Sequence, residues 1–571
     1  VRFDLLGRDG LARRGVIEID GQEYPTPTLA TIGTEKLRVE CKGPRLTYEN
    51  ISEPGGLSVS GSSFFDTDSQ GDGAIRVGFR GSPYSDARTD KSGFVFLDNI
   101  SSIMLDSSRF VEQIVKLKSS NSLLRPLLCS VAGFPHRLAF LAYCGVDVID
   151  TIPLVMAARN GQYLTNHGII DASSIKEMPC SCEACESDRR DLDHLLRHNQ
   201  SAAESEIRLV RHAIDHGKLR ELVESRVRCD PWLVQNLRLM DLTAYQLQEM
   251  HAPIKGAPFH AGSKESLNRP DITRWKMRIQ ERYHRPEGTK ILVLIPCSAR
   301  KPYSLSKSHK RFREAILTSG KAPIVHEVIV TSPLGIVPRE LELFYPAKDY
   351  DIPVTGHWDR DEKHMVQELV SWLVSSEKYD LVISHLGDEQ EPVNSSISDF
   401  VDTSGGDPGA RDSLNRLQEV LRDFDVDDRG PVRRSRNLEE LRSICRFQFG
   451  PAGNALCDGA AIMGRWPNVR MVRDGQQIGM LTAERGMISL TLEGGKVLAD
   501  AGSYCVEIDD FKPKGNLFAV GVKKADGEIR IGDDVAIVHR KEVRAVGVAR
   551  MSPVEMELAQ RGEAVHIRHA A

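Results

Sequence analysis

The apolar run at residues 290–295, KILVLI, is followed at once by the polar segment PCSARKPYSLSKSHKRF. An apolar run of this kind, ended by a proline, is typical of a buried strand in a parallel sheet. The residues SLSKSHKRFREAIL predict a helix after it, with Ser304 or Ser306 as the N-cap. Cys297 is therefore expected in a strand-to-helix turn at the carboxyl edge of a sheet, where α/β folds bind ligands.

The size and composition of the chain set its broad class. Its 571 residues, 40% of them hydrophobic, predict about three to five domains. The net charge of −5 means that any nucleic-acid contact must come from local basic clusters. The eleven cysteines show no disulfide-scaffold pattern and fit reduced thiols. Because no apolar run of about eighteen residues occurs, we expect a cytoplasmic protein without membrane insertion.

Three cysteines, Cys180, Cys182 and Cys185, have the spacing C-x-C-x-x-C. Thiolates at this spacing can bind one tetrahedral metal ion if a fourth ligand completes the shell. Three thiolates and one imidazole leave no open position, so we expect a structural zinc ion. The histidines that could complete the shell are His194, His198 and His212.

The polar segment also carries a spaced pattern, which we call the signature: Pro296-Cys297, three residues, Lys301-Pro302-Tyr303, two residues, Ser306, two residues and His309. It resembles the signature of the archaeosine synthase family, which is related to archaeal tRNA-guanine transglycosylases. Every position of that signature is present. The resemblance implies a tRNA-modifying enzyme of archaeosine biosynthesis that joins free L-lysine to the nitrile carbon of 7-cyano-7-deazaguanine in the D-loop. The product would be an amidine, which a partner radical SAM enzyme then cleaves.

This chemistry gives each signature residue an expected role. A thiolate can add to a nitrile carbon and then be displaced by an amine, so Cys297 is the candidate nucleophile. The helix start and the Lys301 ammonium would favour its charged sulfur, and His309 could transfer protons. Tyr303 and Ser306 could hydrogen-bond the imide nitrogen or the lysine carboxylate.

The same segment also fits a binding loop without covalent catalysis. Lys301, Ser304, Ser306 and the helix amides could bind a phosphate or the carboxylate of lysine, while Cys297 only fills the strand end. Both alternatives place the segment in the active site. Candidate acids for the cationic groups of lysine are Glu340, Asp351, Asp359 and Glu362.

Residues 128–241 alternate short apolar strands with helical runs, as a β/α barrel requires, and resemble the last third of the archaeal transglycosylase barrel. The resemblance implies that Asp150, in GVDVID, matches the nucleophile of that family. The second aspartate that the family needs has no counterpart in residues 1–110; the nearest text, FFDTDSQGDG at 64–73, lies among loop formers. We therefore expect base exchange to be lost. Asp150 is either a surviving nucleophile or a strand-end carboxylate held by its neighbours.

The transglycosylase resemblance also assigns the fourth zinc ligand. In that family the closing residue is the histidine of an HN pair on the following helix, and His198-Asn199 matches it. The implied ligand set is Cys180, Cys182, Cys185 and His198. The resemblance further implies a homodimer.

The carboxyl-terminal third is expected to bind RNA. Residues 401–437 combine a short helical run with Gly, Pro and alternating charge, which is typical of a linker. Residues 504–569 contain short strands with glycine turns and look like a PUA domain, a small RNA-binding barrel. Phosphate contacts need local basic residues, and an ordinary solvated barrel is the alternative. The candidate nucleic-acid-binding residues are Lys523, Lys524, Arg530, Arg540, Arg544 and Arg550.

Together these features predict an α/β multidomain protein. The expected domains are a degenerate TIM-type (β/α) barrel with a zinc knuckle at 1–250, an α/β domain with a parallel sheet and the signature at 271–425, a small α+β domain at 436–500, and a β-barrel PUA domain at 501–571. A stretch rich in turn and charged residues at 252–290 separates the first two. Two functional alternatives to lysine addition are base exchange by an active transglycosylase and a non-catalytic tRNA-binding subunit.

Overall fold

The computed structural model describes residues 2–19, 21–34, 37–39, 43–48, 64–70, 74–80, 94–97, 106–119, 121–187, 189–353, 358–387, 391–425 and 433–571. The chain forms two compact units. The first is Val1–Pro253 with Leu558–Gly562, and the second is Ile254–Glu557 with Glu563–Ala571. Among the described residues, no helix has both the length and the apolar character that crossing a bilayer requires.

The first unit combines a three-stranded antiparallel sheet with a larger, mainly parallel sheet and a two-stranded hairpin. Its strands are β1 (Arg2–Asp9), β2 (Ala12–Ile19), β3 (Gln22–Thr26), β4 (Thr28–Thr34), β5 (Leu37–Val39), β6 (Arg45–Tyr48), β7 (Phe64–Gln70), β8 (Ala74–Arg80), β9 (Val95–Leu97), β10 (Leu127–Cys129), β11 (Val148–Asp150), β12 (Gln162–Thr165) and β13 (Gly168–Asp171). Its helices are α1 (Ser107–Lys118), α2 (Pro135–Tyr143), α3 (Ile152–Arg159), α4 (Leu192–Asp215), α5 (Leu219–Arg226), α6 (Pro231–Thr243) and α7 (Tyr245–His251).

The larger sheet has the order β7-β8-β6-β4-β11-β10-β9, with β5 on β4. Within the described residues, its last parallel strand, β11, pairs in parallel with its first, β4. A (β/α) barrel closes by pairing its last strand with its first, so this pairing fits the TIM-type fold. Within the text 64–73, which lies among loop-forming residues in the sequence, Phe64–Gln70 forms a strand that pairs with β8; the side chains of this strand lie outside the described part.

The second unit begins with an α/β domain built around one sheet of order β17-β16-β15-β19-β20. The apolar run KILVLI, predicted as a buried strand of a parallel sheet, is confirmed as β15, which pairs in parallel with β16 and β19. Its strands are β14 (Phe259–His260), β15 (Ile291–Pro296), β16 (Val325–Thr331), β17 (Gly335–Pro338), β18 (Tyr350–Asp351), β19 (Leu381–Ser384) and β20 (Val401–Asp402). Its helices are α8 (Pro270–Arg282), α9 (Lys307–Thr318), α10 (Arg360–Glu377), α11 (Glu391–Asn394) and α12 (Arg411–Asp423).

Two stretches that the sequence suggested to be connecting segments contain helices or strands that pack in the α/β domain. Residues 252–290 contain α8, which buries Ile272, Trp275 and Ile279, and the Trp275 indole donates to the Ile336 carbonyl at 3.1 Å. The linker expected at 401–437 is wrong over 401–423. There β20 extends the sheet, and α12 packs on α9 with Leu417 and Leu421 buried. In α12 the charged residues lie on the exposed helix face, whereas in α8 Asp271, Arg274 and Arg278 are buried beside the apolar residues. In both stretches the many charges conceal the apolar stripe in the sequence.

The rest of the second unit holds a four-stranded antiparallel sheet with helices and then a six-stranded sheet of order β26-β30-β29-β28-β25-β27. The strands are β21 (Ala461–Arg465), β22 (Asn468–Arg473), β23 (Gln476–Leu481), β24 (Ile488–Leu490), β25 (Cys505–Ile508), β26 (Leu517–Phe518), β27 (Val522–Ala525), β28 (Asp534–His539), β29 (Glu542–Ala549) and β30 (Glu563–Ala570). The helices are α13 (Arg433–Phe449), α14 (Asn454–Cys457), α15 (Leu492–Asp500) and α16 (Pro553–Leu558).

Arg282, the last residue of α8, joins the parts of the second unit. Its guanidinium donates to the Gln448 carbonyl at 3.2 Å and to the Tyr504 hydroxyl at 2.9 Å, and it pairs with Glu528 at 2.6 Å. Gln448 lies at the end of α13, while Tyr504 precedes β25. One side chain thus connects the α/β domain, the four-stranded segment and the six-stranded segment.

Candidate functional site

The signature begins at the topological switch point of the α/β sheet. From β15 the chain passes through α9 to β16 on one side, and from β16 through α10 to β19 on the other side of β15. Right-handed crossovers in opposite directions place these two helices on opposite faces and open a crevice beyond the carboxyl ends of β15 and β19. Cys297, which is partly exposed, follows β15 directly. The end of β19, at Ser384, lies alongside, and the amide of the next residue, His385, donates to the Leu294 carbonyl at 2.9 Å.

Lys301 and Tyr303 both contact Tyr350, a residue outside the signature. The Lys301 ammonium is 4.0 Å from the ring centroid of Tyr350 and 5.8 Å from that of Tyr303. Burial lowers the pKa of Lys301, and the opposing effects of Cys297 and Asp351 are smaller. The Tyr303 hydroxyl is fully buried, 2.6 Å from the Tyr350 hydroxyl, and burial raises its pKa well above the ordinary value.

Ser306 and His309 are both buried at the start of α9. Ser306 is confirmed as the N-cap, because its hydroxyl accepts from the His309 amide at 3.2 Å. The His309 Nδ1 lies 2.8 Å from the Arg339 guanidinium, which must be the donor. Burial, followed by the Arg339 charge, lowers the pKa of His309 to about 3. The imidazole is therefore neutral at pH 7, which favours a positioning role over the proton transfer that the sequence suggested.

Arg339 is the centre of a buried network that sequence reasoning missed. Besides His309, it donates to Glu327 at 3.1 Å and to Glu342 at 2.8 Å. Glu342 in turn accepts from the Ser304 amide at 2.9 Å. Because Arg339 follows β17 and Glu327 lies on β16, this network fixes the signature turn to the neighbouring hairpin. Glu342 stands two residues after Glu340 in the text RELELF, so only their positions in the fold separate these two acids.

The four acids proposed to bind lysine differ in their surroundings. Glu340 is buried and accepts from the Tyr283 hydroxyl at 2.6 Å. Asp359 caps α10, and Glu362 accepts from the Ser332 hydroxyl at 2.6 Å. Asp351 is exposed and is the member of the set whose charge acts on Lys301. Of these four acids, Asp351 is thus the one at the signature turn.

The predicted metal ligands converge in the first unit. The ligand atoms of Cys180, Cys182, Cys185 and His198 all lie within 4.8 Å of one another. The Nδ1 atom of His198 is 3.6 Å from the Cys182 sulfur and 3.3 Å from the Cys185 sulfur. A tetrahedral zinc ion with ordinary bond lengths separates nitrogen and sulfur ligands by about 3.6 Å, so the donor set fits this metal.

The surroundings of His198 select it over the other candidate histidines. Its Nε2 lies 2.8 Å from the Leu164 carbonyl, which leaves Nδ1 to face the sulfurs. The Tyr163 ring stacks on the imidazole with centroids 3.5 Å apart, and the Tyr163 hydroxyl is 3.3 Å from the Cys185 sulfur. The His194 Nε2 is 3.9 Å from the same sulfur, whereas the His212 ring lies against the His216 ring, with centroids 4.1 Å apart and the planes tilted by 35°.

Asp150 lies at the end of β11 with no exposed surface. Both of its carboxylate oxygens accept from the Val131 amide, at 3.0 and 3.1 Å, and one also accepts from the Ile152 amide at 3.2 Å. A carboxylate held in this way by backbone amides stabilises the turns around it. These contacts favour the strand-end carboxylate among the two interpretations of Asp150.

The predicted nucleic-acid residues are spread over the six-stranded sheet. Lys523, Lys524, Arg540 and Arg550 are exposed, while Arg530 and Arg544 are partly buried. Ion pairs join Lys523 to Asp509 at 2.6 Å and Arg544 to Asp510 at 2.8 Å. Two apolar residues that sequence reasoning missed, Phe518 and Val520, are 55% and 70% exposed just before the two lysines of β27. An exposed aromatic ring beside basic groups suits the stacking of an unpaired base.

Three family models match the chain. The model described as queuine tRNA-ribosyltransferase matches residues 88–231, and the PUA domain model matches residues 508–571. A model described as a domain of unknown function, DUF5591, matches residues 272–421 and so includes the signature. The domain bounds expected from the sequence stay predictions.

Named relatives align with most of the chain. The archaeosine synthase subunit alpha of Methanosarcina acetivorans is 35% identical over 507 residues, covering 84% of this chain and 80% of the relative. The archaeosine synthase of Haloferax volcanii is 35% identical over 480 residues, covering 81% and 79%. The tRNA-guanine(15) transglycosylase of Methanothermobacter thermautotrophicus is 28% identical over 494 residues, covering 81% and 69%. This chain belongs to the archaeosine synthase family.

Proposed function

We propose that this protein modifies tRNA in archaeosine biosynthesis by adding free L-lysine to the nitrile carbon of 7-cyano-7-deazaguanine in the D-loop. The observation that carries the proposal is the position of Cys297 at the switch point of the α/β sheet, with Lys301 beside it. A partly exposed thiol and a half-buried ammonium at such a crevice suit addition to a weak electrophile. The names of the relatives and the match to a tRNA-ribosyltransferase model support RNA as the substrate.

The proposed reaction has two steps. The Cys297 thiolate adds to the nitrile carbon, and the nitrogen takes up one proton to give a thioimidate. A lysine amine then attacks the same carbon and loses a proton, and the carbon–sulfur bond breaks to release the thiolate. The net reaction is nitrile plus amine to amidine, so no atom is lost and no oxidant is needed. Since His309 is neutral and bonded to Arg339, we assign the proton for the nitrile nitrogen to Lys301, with Tyr303, Ser306 and His309 as positioning residues.

The other groups have supporting roles in this proposal. A zinc ion bound by Cys180, Cys182, Cys185 and His198 would stabilise the loop between β13 and α4. The PUA domain, through its basic residues and Phe518, would hold the tRNA. A radical SAM enzyme that consumes the amidine, and a homodimer, are further partners that we propose from the family resemblance.

The main test uses tRNA that carries the nitrile base. The wild-type protein with lysine is expected to add the mass of one lysine to the tRNA, and without lysine it is expected to form a covalent protein–tRNA adduct. Cys297→Ala should abolish both products, whereas Cys229→Ala, which removes a thiol of the first unit, should abolish neither. Full lysine addition by Cys297→Ala would eliminate the covalent step and leave direct addition of lysine.

The same samples separate the two alternative functions. An active transglycosylase would exchange labelled guanine into tRNA through Asp150. A non-catalytic subunit would bind tRNA but would give neither lysine addition nor guanine exchange. The burial of Asp150 under three amide hydrogen bonds leads us to expect no exchange. Incorporation of labelled guanine by the wild-type protein, lost in Asp150→Asn, would replace our proposal with base exchange.

A further inference from the structure

We propose that Tyr350, which lies 47 residues after Tyr303 and outside the signature, positions Lys301 against Cys297. Its ring faces the Lys301 ammonium at 4.0 Å from the centroid, the closer of the two tyrosine rings around this group. A cation at this distance over an aromatic face is attracted by the negative face of the ring. The ring therefore gives the flexible lysine side chain a defined position at the turn.

The hydroxyl of Tyr350 fixes the orientation of the ring. It lies 2.6 Å from the Tyr303 hydroxyl and 2.6 Å from the Thr331 hydroxyl, and Thr331 donates to the Ser332 carbonyl at 2.9 Å. The Thr331 hydroxyl has one proton and donates it to the Ser332 carbonyl, so it must accept a hydrogen bond from the Tyr350 hydroxyl. The Tyr350 hydroxyl has then used its own proton and must accept from the Tyr303 hydroxyl. The result is a directed chain of buried hydroxyl groups from the signature to the end of β16.

The backbone of Tyr350 is held as well. It lies on β18, which pairs in parallel with β14, with Tyr350 opposite Phe259, and its side chain is only 3% exposed. The next residue, Asp351, is exposed and acts on Lys301 through its charge. The short strand thus places an aromatic face against the ammonium, and the carboxylate that follows acts on it only through its charge.

This inference rests on the proposed function, because it takes from it the catalytic role of the Cys297 thiolate. A cation held near a thiol favours the thiolate, so Tyr350 acts through Lys301 and not on the substrate. Removing the ring should therefore lower the reactivity of Cys297, whereas removing only the hydroxyl should leave the ring over Lys301. The variants Tyr350→Leu and Tyr350→Phe separate these two contributions.

The experiment measures the iodoacetamide alkylation rate of Cys297 at pH 7 by peptide mass spectrometry, with full-length protein and neither tRNA nor lysine. Lys301→Met and Tyr350→Leu should each lower the rate about fivefold, and the double variant should show no further loss. Tyr350→Phe should stay within about twofold of wild type. The matched control is Tyr345→Leu, which removes another buried tyrosine of the same segment, bonded to Asp271; it should leave the rate unchanged.

A second measurement keeps the test valid if Tyr350→Leu unfolds. Fluorinated phenylalanines at position 350 preserve the shape of the ring and weaken its attraction for cations stepwise, so the alkylation rate should fall with each added fluorine. A rate independent of fluorination, or a Tyr350→Leu rate equal to wild type while Lys301→Met is slow, would overturn the inference. In the lysine assay Tyr350→Leu should lower kcat and leave the KM for tRNA unchanged. If the variants show the expected alkylation rates but the wild-type protein adds no lysine to tRNA, the proposed function is wrong and the positioning role of Tyr350 stands.

Discussion

Arg339→Met removes the centre of the network behind the signature. Arg339 is largely buried, with 17% of its side chain exposed, and it contacts His309, Glu327 and Glu342. The substitution keeps much of the aliphatic volume and deletes all of the donors. We expect a large loss of local stability around β15 and α9, together with slower lysine addition, because His309 and the Ser304 amide lose the groups that hold them.

The magnitude follows from Glu327. Burial alone would raise its pKa, yet Arg313 and Arg339 together lower it from 4.5 to about 2. A difference of this size corresponds to roughly 3 kcal/mol in favour of the folded state, to which both arginines contribute. Arg339 also makes charge-assisted bonds to His309 and Glu342, so breaking this buried set should cost about 3–5 kcal/mol. The stabilisation by ionised Glu327 is fully present above pH 4.5 and is lost as the pH falls through its folded pKa of about 2. The cost of Arg339→Met should therefore become smaller in acid.

Amide hydrogen exchange of peptides from 291–318 measures this local stability. The matched control is Arg313→Met, which removes the other arginine from Glu327 but leaves His309 and Glu342 in place. Arg313 acts on Glu327 more strongly than Arg339 does, but 48% of its side chain is exposed to solvent and Arg339 still pairs with Glu327 after its loss, so Arg313→Met should cost only about 1 kcal/mol. If both variants cost the same, or if the cost of Arg339→Met does not diminish below pH 4.5, the network argument is refuted.

Three further outcomes are expected. His309 has a folded pKa of about 3 against an ordinary 6.5, so between these values the unfolded chain binds a proton that the folded chain does not. From pH 6.5 down to 4.5, above the range in which Glu327 contributes, exchange protection of 291–318 should fall by about 1.4 kcal/mol per pH unit; His309→Gln should abolish the slope in this window, and an unchanged slope there would contradict the burial argument. Cys180→Ser should lose bound zinc in metal analysis and expose residues 162–199 to exchange, whereas retention of full zinc would show a different ligand set. Asp150→Asn should cost about 1–3 kcal/mol in unfolding experiments on the first unit and leave lysine addition within twofold of wild type; strong inhibition in a folded variant would give Asp150 a catalytic role.

The sequence predicted the elements whose signals are local. The apolar run before Pro296 and the capping serine at Ser306 define the turn that carries Cys297, since both depend on a few adjacent residues. The metal cluster was predictable for the same reason, because the C-x-C-x-x-C spacing brings three sulfurs together without help from distant segments.

The partners of the signature depend on contacts between distant segments and could not be predicted. Tyr350 and Arg339 reach the turn from a two-residue strand and from the end of a hairpin, and neither residue stands out in its local text. The sequence also could not show that His309 is buried against a guanidinium. That contact changes the expected role of the imidazole, because an ordinary histidine titrates near pH 6.5 and this one does not.

The three contacts of Arg282 have a consequence for substrate selection. For a tRNA held on the PUA domain, the separation between the point of attachment and Cys297 is set by packing within the second unit and not by a flexible tether. The enzyme would then select its substrate by this distance. An RNA whose reactive base lies at a different distance from the attached end would be bound but not modified. Shortening or lengthening the helical stem between those two points would change turnover while leaving affinity intact.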